Sequence, residues 1–405
     1  MAGDFNHDGK MDLATPGAVL HGNGDGTFQT PKHVYSGNFP MALASGDLNR
    51  DGFSDLVICN NSLNISVLLG NARSVSQFER QVVGSQPKAV ATGDFNSDGK
   101  LDVAVAASAS NVVNILLGNG DGAFTPGANL TVPAPGAVLA LDLNGDGKID
   151  LAVSGDSGTW IFLGNGDGTF TQKAQYPSFY GDCTVTAFQY NGAPCFAAAD
   201  FNGDGIPDLA GALWTVDSAF IMLGNGDGTF RPGTQTLRVS DTPQSIATGD
   251  FNKDGKIDVV ISGLFGSVFV FPGNGDGTFN APVLLSSGTG SAGLAVGDVN
   301  GDGNLDIVLA AGQAGGSGSF LGVYVFTPAT AISPSIRPWR CWPTRGRIAS
   351  YWVTSTPTDS WKSLLLMRSR TSHRAAESGQ HDVRPWKAPR CRGVAGGHRG
   401  RRLQQ

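Results

Sequence analysis

The sequence predicts an all-β chain: a seven-bladed β-propeller of four-stranded antiparallel blades, followed by a basic tail without regular structure. Three observations carry this prediction. A segment of the form Asp-x-Asn-x-Asp-Gly-x-x-Asp occurs seven times, beginning at Asp4, Asp47, Asp94, Asp142, Asp200, Asp250 and Asp298. The steps between copies are 43, 47, 48, 58, 50 and 48 residues, and a period of this size marks a repeat architecture. Short apolar runs flank each copy, and a glycine-rich turn recurs at a constant place in most repeats.

Within one repeat the elements follow in order. Ahead of the loop stands a run such as Ala89, Val90 and Ala91; behind it stands one such as Val103, Ala104 and Val105. Both parities are apolar or small, so both faces of these strands are expected to be covered. A third run follows, such as residues 112–117. Then comes Gly-Asn-Gly-Asp-Gly-Thr/Ala-Phe, beginning at Gly22, Gly118, Gly164, Gly224 and Gly273, which reads as a tight hairpin. Its Asp residues are expected to form the turn rather than bind a ligand. Phe28, Phe124, Phe170, Phe230 and Phe279 close it and are expected to pack between sheets. Blade two carries a degenerate version at residues 70–78, and blade seven lacks it. A four-stranded sheet cannot bury both faces alone; radial stacking does so and leaves only short edges.

The Asp-rich loop has the chemistry of a cation cage. In the third copy, Asp94, Asn96, Asp98 and Asp102 supply side-chain oxygens, and Gly99 permits a sharp bend. Lys100 would offer only its backbone carbonyl, which leaves its side chain free to vary. That position holds Lys10, Phe53, Lys100, Lys148, Ile206, Lys256 and Asn304 in the seven copies. An EF-hand is rejected. It needs a bidentate Glu at position twelve, where this chain has Thr15, Ile58, Val105, Val153, Gly211, Ile261 and Leu309. A nine-residue β-roll repeat is excluded by the period. Asp/Asn turns that bind nothing are the competing reading; seven copies in matching register weigh against it.

The pairing of this loop with the Gly-Asn-Gly-Asp-Gly-Thr-Phe turn resembles the FG-GAP/VCBS repeat family, which includes the propeller of integrin α chains. The resemblance covers about residues 1–328. It implies calcium, up to seven ions, in the hairpin between the first two strands of each blade. The implied ligands in blade one are Asp4, Asn6, Asp8 and Asp12 with the Lys10 carbonyl. Those in blades two to four are Asp47, Asn49, Asp51, Asp55 and Phe53; Asp94, Asn96, Asp98, Asp102 and Lys100; and Asp142, Asn144, Asp146, Asp150 and Lys148. Those in blades five to seven are Asp200, Asn202, Asp204, Asp208 and Ile206; Asp250, Asn252, Asp254, Asp258 and Lys256; and Asp298, Asn300, Asp302, Asp306 and Asn304. The family's ligand-binding loops lie on a different face from the calcium loops, and no partner identity transfers.

Charge is consistent with a bound cation. Residues 1–330 hold 31 acidic and 13 basic side chains, a net of −18. Each loop brings three carboxylates together, which repel one another without a counter-charge. Residues 329–405 read differently. They are rich in Arg and hold five of the seven Trp residues. No sustained strand or helix period runs through them, although residues 361–367 suit a short helix. An unstructured or out-of-frame end is the favoured reading; a basic arm for an anionic surface, nucleic acid or the acidic ring is the alternative.

The ends of the ring pose a closure problem. Only Met1, Ala2 and Gly3 precede the first loop, so the innermost strand of blade one is expected to be missing, through lost upstream residues. Blade seven stops after a third strand at residues 321–326. Residues 329–336 are the alternative source of a closing strand.

No signal peptide or apolar run long enough to span a bilayer is visible. Extracellular calcium modules bind at about 10⁻⁴–10⁻³ M, so a secreted or cell-surface location is expected. Cys183 and Cys195, in the long gap of residues 176–195, form a candidate pair; Cys59 is expected to be a buried thiol. No catalytic constellation, phosphate loop or dinucleotide fingerprint occurs. The leading reading is a monomeric, calcium-binding adhesion scaffold whose variable loops engage an extracellular protein or glycan, without nucleic acid or a transmembrane segment. A lectin-like module would stack sugars on Trp160, Trp214, Tyr176, Phe179 or Tyr180. A calcium-dependent glycan lyase or hydrolase would draw on the spare acids Asp156, Asp182, Asp217 and Asp241.

Overall fold

The protein is described by a computed structural model over residues 1–34, 40–61, 63–71, 74–156, 158–177, 195–213, 216–286, 291–312, 320–327 and 335–337. Seven antiparallel sheets follow one another along the chain, each with its strands in sequence order. Blade three shows the plan: Pro87–Gly93, Asp102–Ala107, Val112–Gly118 and Phe124–Thr131. First strands of neighbouring blades lie against one another, from blade two round through blade seven to blade one, so they line the axis.

The second strands are the most deeply placed. Asp55–Asn60, Asp102–Ala107, Asp150–Gly155 and Asp258–Gly263 are buried at every residue. Sheets stand on both sides of them, which explains why both parities of the sequence are apolar or small. Each pair of neighbouring blades shares at least one apolar cluster. Phe5, Ala14 and Val19 of blade one meet Leu56, Ile58 and Leu68 of blade two. Leu143, Ala152 and Ile161 of blade four meet Leu209 and Phe230 of blade five.

The ring closes by the same device. Leu13, Leu20 and Phe28 of blade one pack with Val299, Val308, Val323 and Val325 of blade seven. Closure is therefore a seam between two separate sheets, and no blade mixes strands from both ends of the chain.

Three details correct the sequence reading. The innermost strand of blade one is present: Ala2–Gly3 pairs with Leu13 and Asp12. Two residues suffice because the Ala14 amide also donates to the Met1 carbonyl at 2.9 Å. Blade seven has a fourth strand, Ser335–Arg337, pairing with Val325, Phe326 and Thr327. It overlaps the segment offered as a closing strand and lies beyond the expected boundary at 328. Blade five carries an added short strand, Leu237–Arg238, beside Phe230–Pro232 on the same neighbour. Pro232 has no N–H to extend the ladder, and the pairing resumes further along.

If the seam between blades one and seven closes the ring, Phe28→Ala will destabilise the protein by about 3–5 kcal/mol. Hydrogen exchange should then quicken in the second strands of blades one and seven and stay slow in blade four. Uniform acceleration in all blades would contradict a local seam.

Candidate metal centre

Each Asp-rich loop links the first and second strands of its blade. In loop three the Asp94 carboxylate accepts the amides of Asp98 at 3.1 Å and Gly99 at 2.8 Å. Asn96 Oδ1 accepts the same Asp98 amide at 3.1 Å. Asp98 Oδ1 accepts the Lys100 amide at 2.9 Å. The amide of the fifth residue bonds to the first carboxylate in every other loop as well. Gly99 sits at φ +77°, a left-handed conformation that a side chain would strain. The fourth position is left-handed too, at His7, Arg50, Ser97, Gly145, Gly203, Lys253 and Gly301. The carboxylates at position five are all exposed.

The ninth-position carboxylates do something else. Asp12, Asp55, Asp102, Asp150, Asp208, Asp258 and Asp306 are buried at 0–1% exposure. Their Oδ2 atoms accept the amide of the loop's second residue: Phe5, Leu48, Phe95, Leu143, Phe201, Phe251 and Val299. In blades one to six Oδ1 accepts the amide of a glycine within two residues of the third strand's end: Gly22, Gly70, Gly118, Gly164, Gly224 and Gly273. Blade seven has no such glycine, and Asn300 Nδ2 takes the place at 3.5 Å. A Cβ on Gly164 would strike the Ile149 carbonyl oxygen, so only glycine permits this approach. Burial pushes Asp55 up to about 6 and Asp306 up to about 7; other carboxylates of the same loop add to the shift, and the backbone donors oppose it.

The glycine-rich turn lies at the same end of the blade. Asp25, Asp167, Asp227 and Asp276 each accept both the amide and the hydroxyl of Thr27, Thr169, Thr229 and Thr278. The threonine hydroxyls hold these carboxyls below the usual range. Asp121 accepts the Ala123 amide. This is the geometry of turn-formers. The last glycine of the turn reaches the preceding blade: Gly122 donates to Leu48 at 3.3 Å, Gly168 to Phe95 and Gly277 to Phe201 at 2.9 Å. Gly26 donates to Val299 of blade seven at 3.1 Å, so the same bond spans the closing seam. Turn and loop rings also meet edge to face, Phe170 on Phe95 and Phe279 on Phe201, each at 5.5 Å.

The donor set suits a hard cation. Two carboxylates, one amide oxygen and a backbone carbonyl crowd into each loop, and none is nitrogen or sulfur. The ninth carboxylate, expected as a further ligand, is also tied to the backbone: in blades one to six each oxygen accepts a backbone amide and keeps at most one lone pair for a cation. Among the described residues no three His, Cys, Asp or Glu side chains converge as a metal cluster. That follows from the geometry: the third donor is an amide, and the ninth carboxylate is drawn into the blade.

Other residues singled out from sequence fall as follows. Trp160 is 4% exposed and packs in the core shared by blades three and four, so it offers no face to a sugar. The Tyr176 hydroxyl accepts the Phe230 amide at 2.6 Å, with the two rings edge to face. Trp214, Phe179, Tyr180, Asp182 and Cys183 lie outside the described residues. Cys59 is buried, and burial pushes its thiol upward. Asp241 is buried and accepts the amides of Phe265 and Ser267. Among the described residues no helix is long and apolar enough to cross a membrane.

Asp208→Ala will lower the stability of the metal-free protein by about 3 kcal/mol, since two buried amides lose their acceptor. Asp204→Ala, at an exposed position, will cost less than about 1 kcal/mol. Equal losses in denaturant melts would contradict the division of roles. A pH dependence follows as well. Asp306 has a folded value near 7, above the ordinary unfolded value of about 4. Protonation therefore favours the folded state. The stability it contributes is complete below about pH 4 and is lost as pH rises through about 7. The melting temperature of the metal-free protein should fall between pH 5 and pH 8; a rise over that interval would contradict the assignment.

The chain matches the FG-GAP-like repeat model at residues 4–58, 64–141, 142–211, 200–261 and 250–309. Comparison with curated proteins finds no match. Among solved structures, the chain is similar to a protein from Lactobacillus plantarum at 14% identity and TM-score 0.55, over 77% of this chain and 88% of that one. A functionally unknown protein from Desulfotomaculum acetoxidans aligns at 13% identity and TM-score 0.53, over 81% and 92%. An Agrocybe aegerita lectin that recognises non-reducing terminal N-acetylglucosamine aligns at 22% identity and TM-score 0.48, over 71% and 79%. At these identities the likenesses to the Lactobacillus plantarum and Desulfotomaculum acetoxidans proteins show the fold alone. The family match spans well over half of the chain, and its repeats coincide with the Asp-rich loops and their flanking strands: this protein belongs to the FG-GAP-like repeat family.

Proposed function

We propose that the chain is a calcium-stabilised scaffold of the extracellular space that binds a protein partner at the end of the propeller remote from its Asp-rich loops. The observation that carries this reading is the sevenfold recurrence of one loop geometry with hard oxygen donors. When bound, calcium would supply positive charge to carboxylates that otherwise repel. Asp94, Asn96, Asp98 and the Lys100 carbonyl, with their counterparts in the other loops, would hold it. Asp102 and its counterparts orient the loop through backbone bonds.

Antiparallel topology divides the labour. The Asp-rich loops and glycine turns share one end of each blade, so the links from second to third strand lie at the other. Those links carry exposed apolar side chains: Leu63 at 48%, Val216 at 36% and Phe265 at 66% exposure. Asp241 holds the Phe265 link through three backbone contacts. Exposed apolar side chains at this end suit a protein contact. An extracellular setting supplies calcium at the level such modules need.

Calcium titration of the chelator-treated protein should show several equivalents bound, up to seven. Melting temperature should rise by roughly 10 °C at saturating calcium. Absence of both effects would remove calcium from the reading. A glycan array probed with calcium and then chelator tests the partner class. Calcium-dependent binding to a defined sugar would replace the protein partner by a glycan.

A further inference from the structure

The seven loops are alike in backbone but not in the charge that surrounds them. Arg50 occupies the fourth position of loop two, where φ +62° turns its side chain out of its own loop. The guanidinium crosses to the next blade, and Nη2 donates to the Gly99 carbonyl of loop three at 2.9 Å. Its aliphatic stem passes beside Gly120 of the adjoining turn. Within loop three the Lys100 ammonium pairs with Asp98 Oδ2 at 3.2 Å. Three carboxylates, Asp94, Asp98 and Asp102, thus have two cations against their loop. Loop five carries the same carboxylates, with Gly203 at the fourth position, Ile206 at the seventh, and Gly145 at the fourth position of the preceding loop. None of the ion pairs among the described residues reaches it.

The reach from one loop to the next is a property of the fourth position. The His7 ring lies on Phe53 of loop two at 4.5 Å between centroids. Lys253 of loop six approaches Gly303 of loop seven. Arg50 is the case in which a permanent charge makes a hydrogen bond inside the neighbouring loop, because a guanidinium stays protonated and is long enough to cross.

We propose that Arg50 is a tethered cation that tunes loop three from the neighbouring blade, making it the weakest calcium site while loop five is among the strongest. The inference rests on the calcium reading above. A guanidinium beside the loop repels a divalent ion, and its bond to the Gly99 carbonyl holds it one residue from the Lys100 donor. At surface screening this lowers affinity about tenfold. Lys100 adds to the neutralisation, but a lysine recurs at that position in loops one, four and six, so it does not single out loop three.

The test is calorimetric titration of the full chain, after chelation, with calcium chloride at low and high salt. Arg50→Gln should strengthen the weakest resolved class of sites about tenfold at low salt and less at high salt. Arg50→Lys, which keeps the charge, should stay within about threefold of the parent. Combining Arg50→Gln with Asp94→Asn should abolish the gain, which places the effect in loop three. The proposal is overturned if Arg50→Gln leaves all affinities unchanged or weakens them, or if the gain survives Asp94→Asn. If the parent protein itself takes up no calcium, the calcium reading fails and this inference fails with it; normal uptake with a silent Arg50→Gln removes this inference alone.

Discussion

One buried carboxylate per blade holds this architecture together. The ninth residue of each Asp-rich loop opens the second strand, lies out of water, and ties its own loop to the backbone. In blades one to six it also ties the amide at the end of the third strand. A charged acceptor shared by two amides is stronger than neutral bonding, and its burial makes loss of either partner costly. The carboxylate therefore sets where the first strand ends, where the second begins, and how closely the third approaches. The glycine at that approach is a consequence: it is small because a carbonyl lies where its side chain would be.

The second constraint is repetition around a circle. Each blade offers an apolar face to each neighbour, and each glycine-rich turn that bonds outward does so to the loop of the blade before it. A linear stack of such units would leave two apolar faces in water. The closed ring leaves none, and the seam between first and last blades uses the same apolar cluster and the same amide bond as an internal seam. Blade seven, which lacks the glycine turn, depends on Asn300 for one of its carboxylate contacts.

The two ends of the blades differ in composition. Acidic loops gather at one end, where their fifth-position carboxylates are exposed and their backbones nearly identical. The other end carries links of different length and composition. Variation there costs little, because the carboxylate ties that hold the blade are at the opposite end. The proposed calcium would act on the constant end to stiffen a scaffold whose variable end makes contacts.

The sequence by itself determined the blade number, the strand order within a blade and the loop register. All three follow from a repeat whose acidic residues and glycine recur at fixed spacing, a pattern that local turn chemistry reads directly. The turn role of Asp167 was legible for the same reason: its partner Thr169 is two residues away. Only the tertiary structure decided that Asp102 differs from Asp94 and Asp98, which look equivalent in the motif. Its second partner, Gly118, is 16 residues away across the sheet, and its position at the head of an apolar strand was the one local hint. Ring closure was likewise undecided, because Ala2–Gly3 is too short to read as a strand until its partner is in place. The Arg50 crossing to Gly99 spans 49 residues. Contacts between blades depend on how the sheets stack, and no spacing within one repeat encodes that.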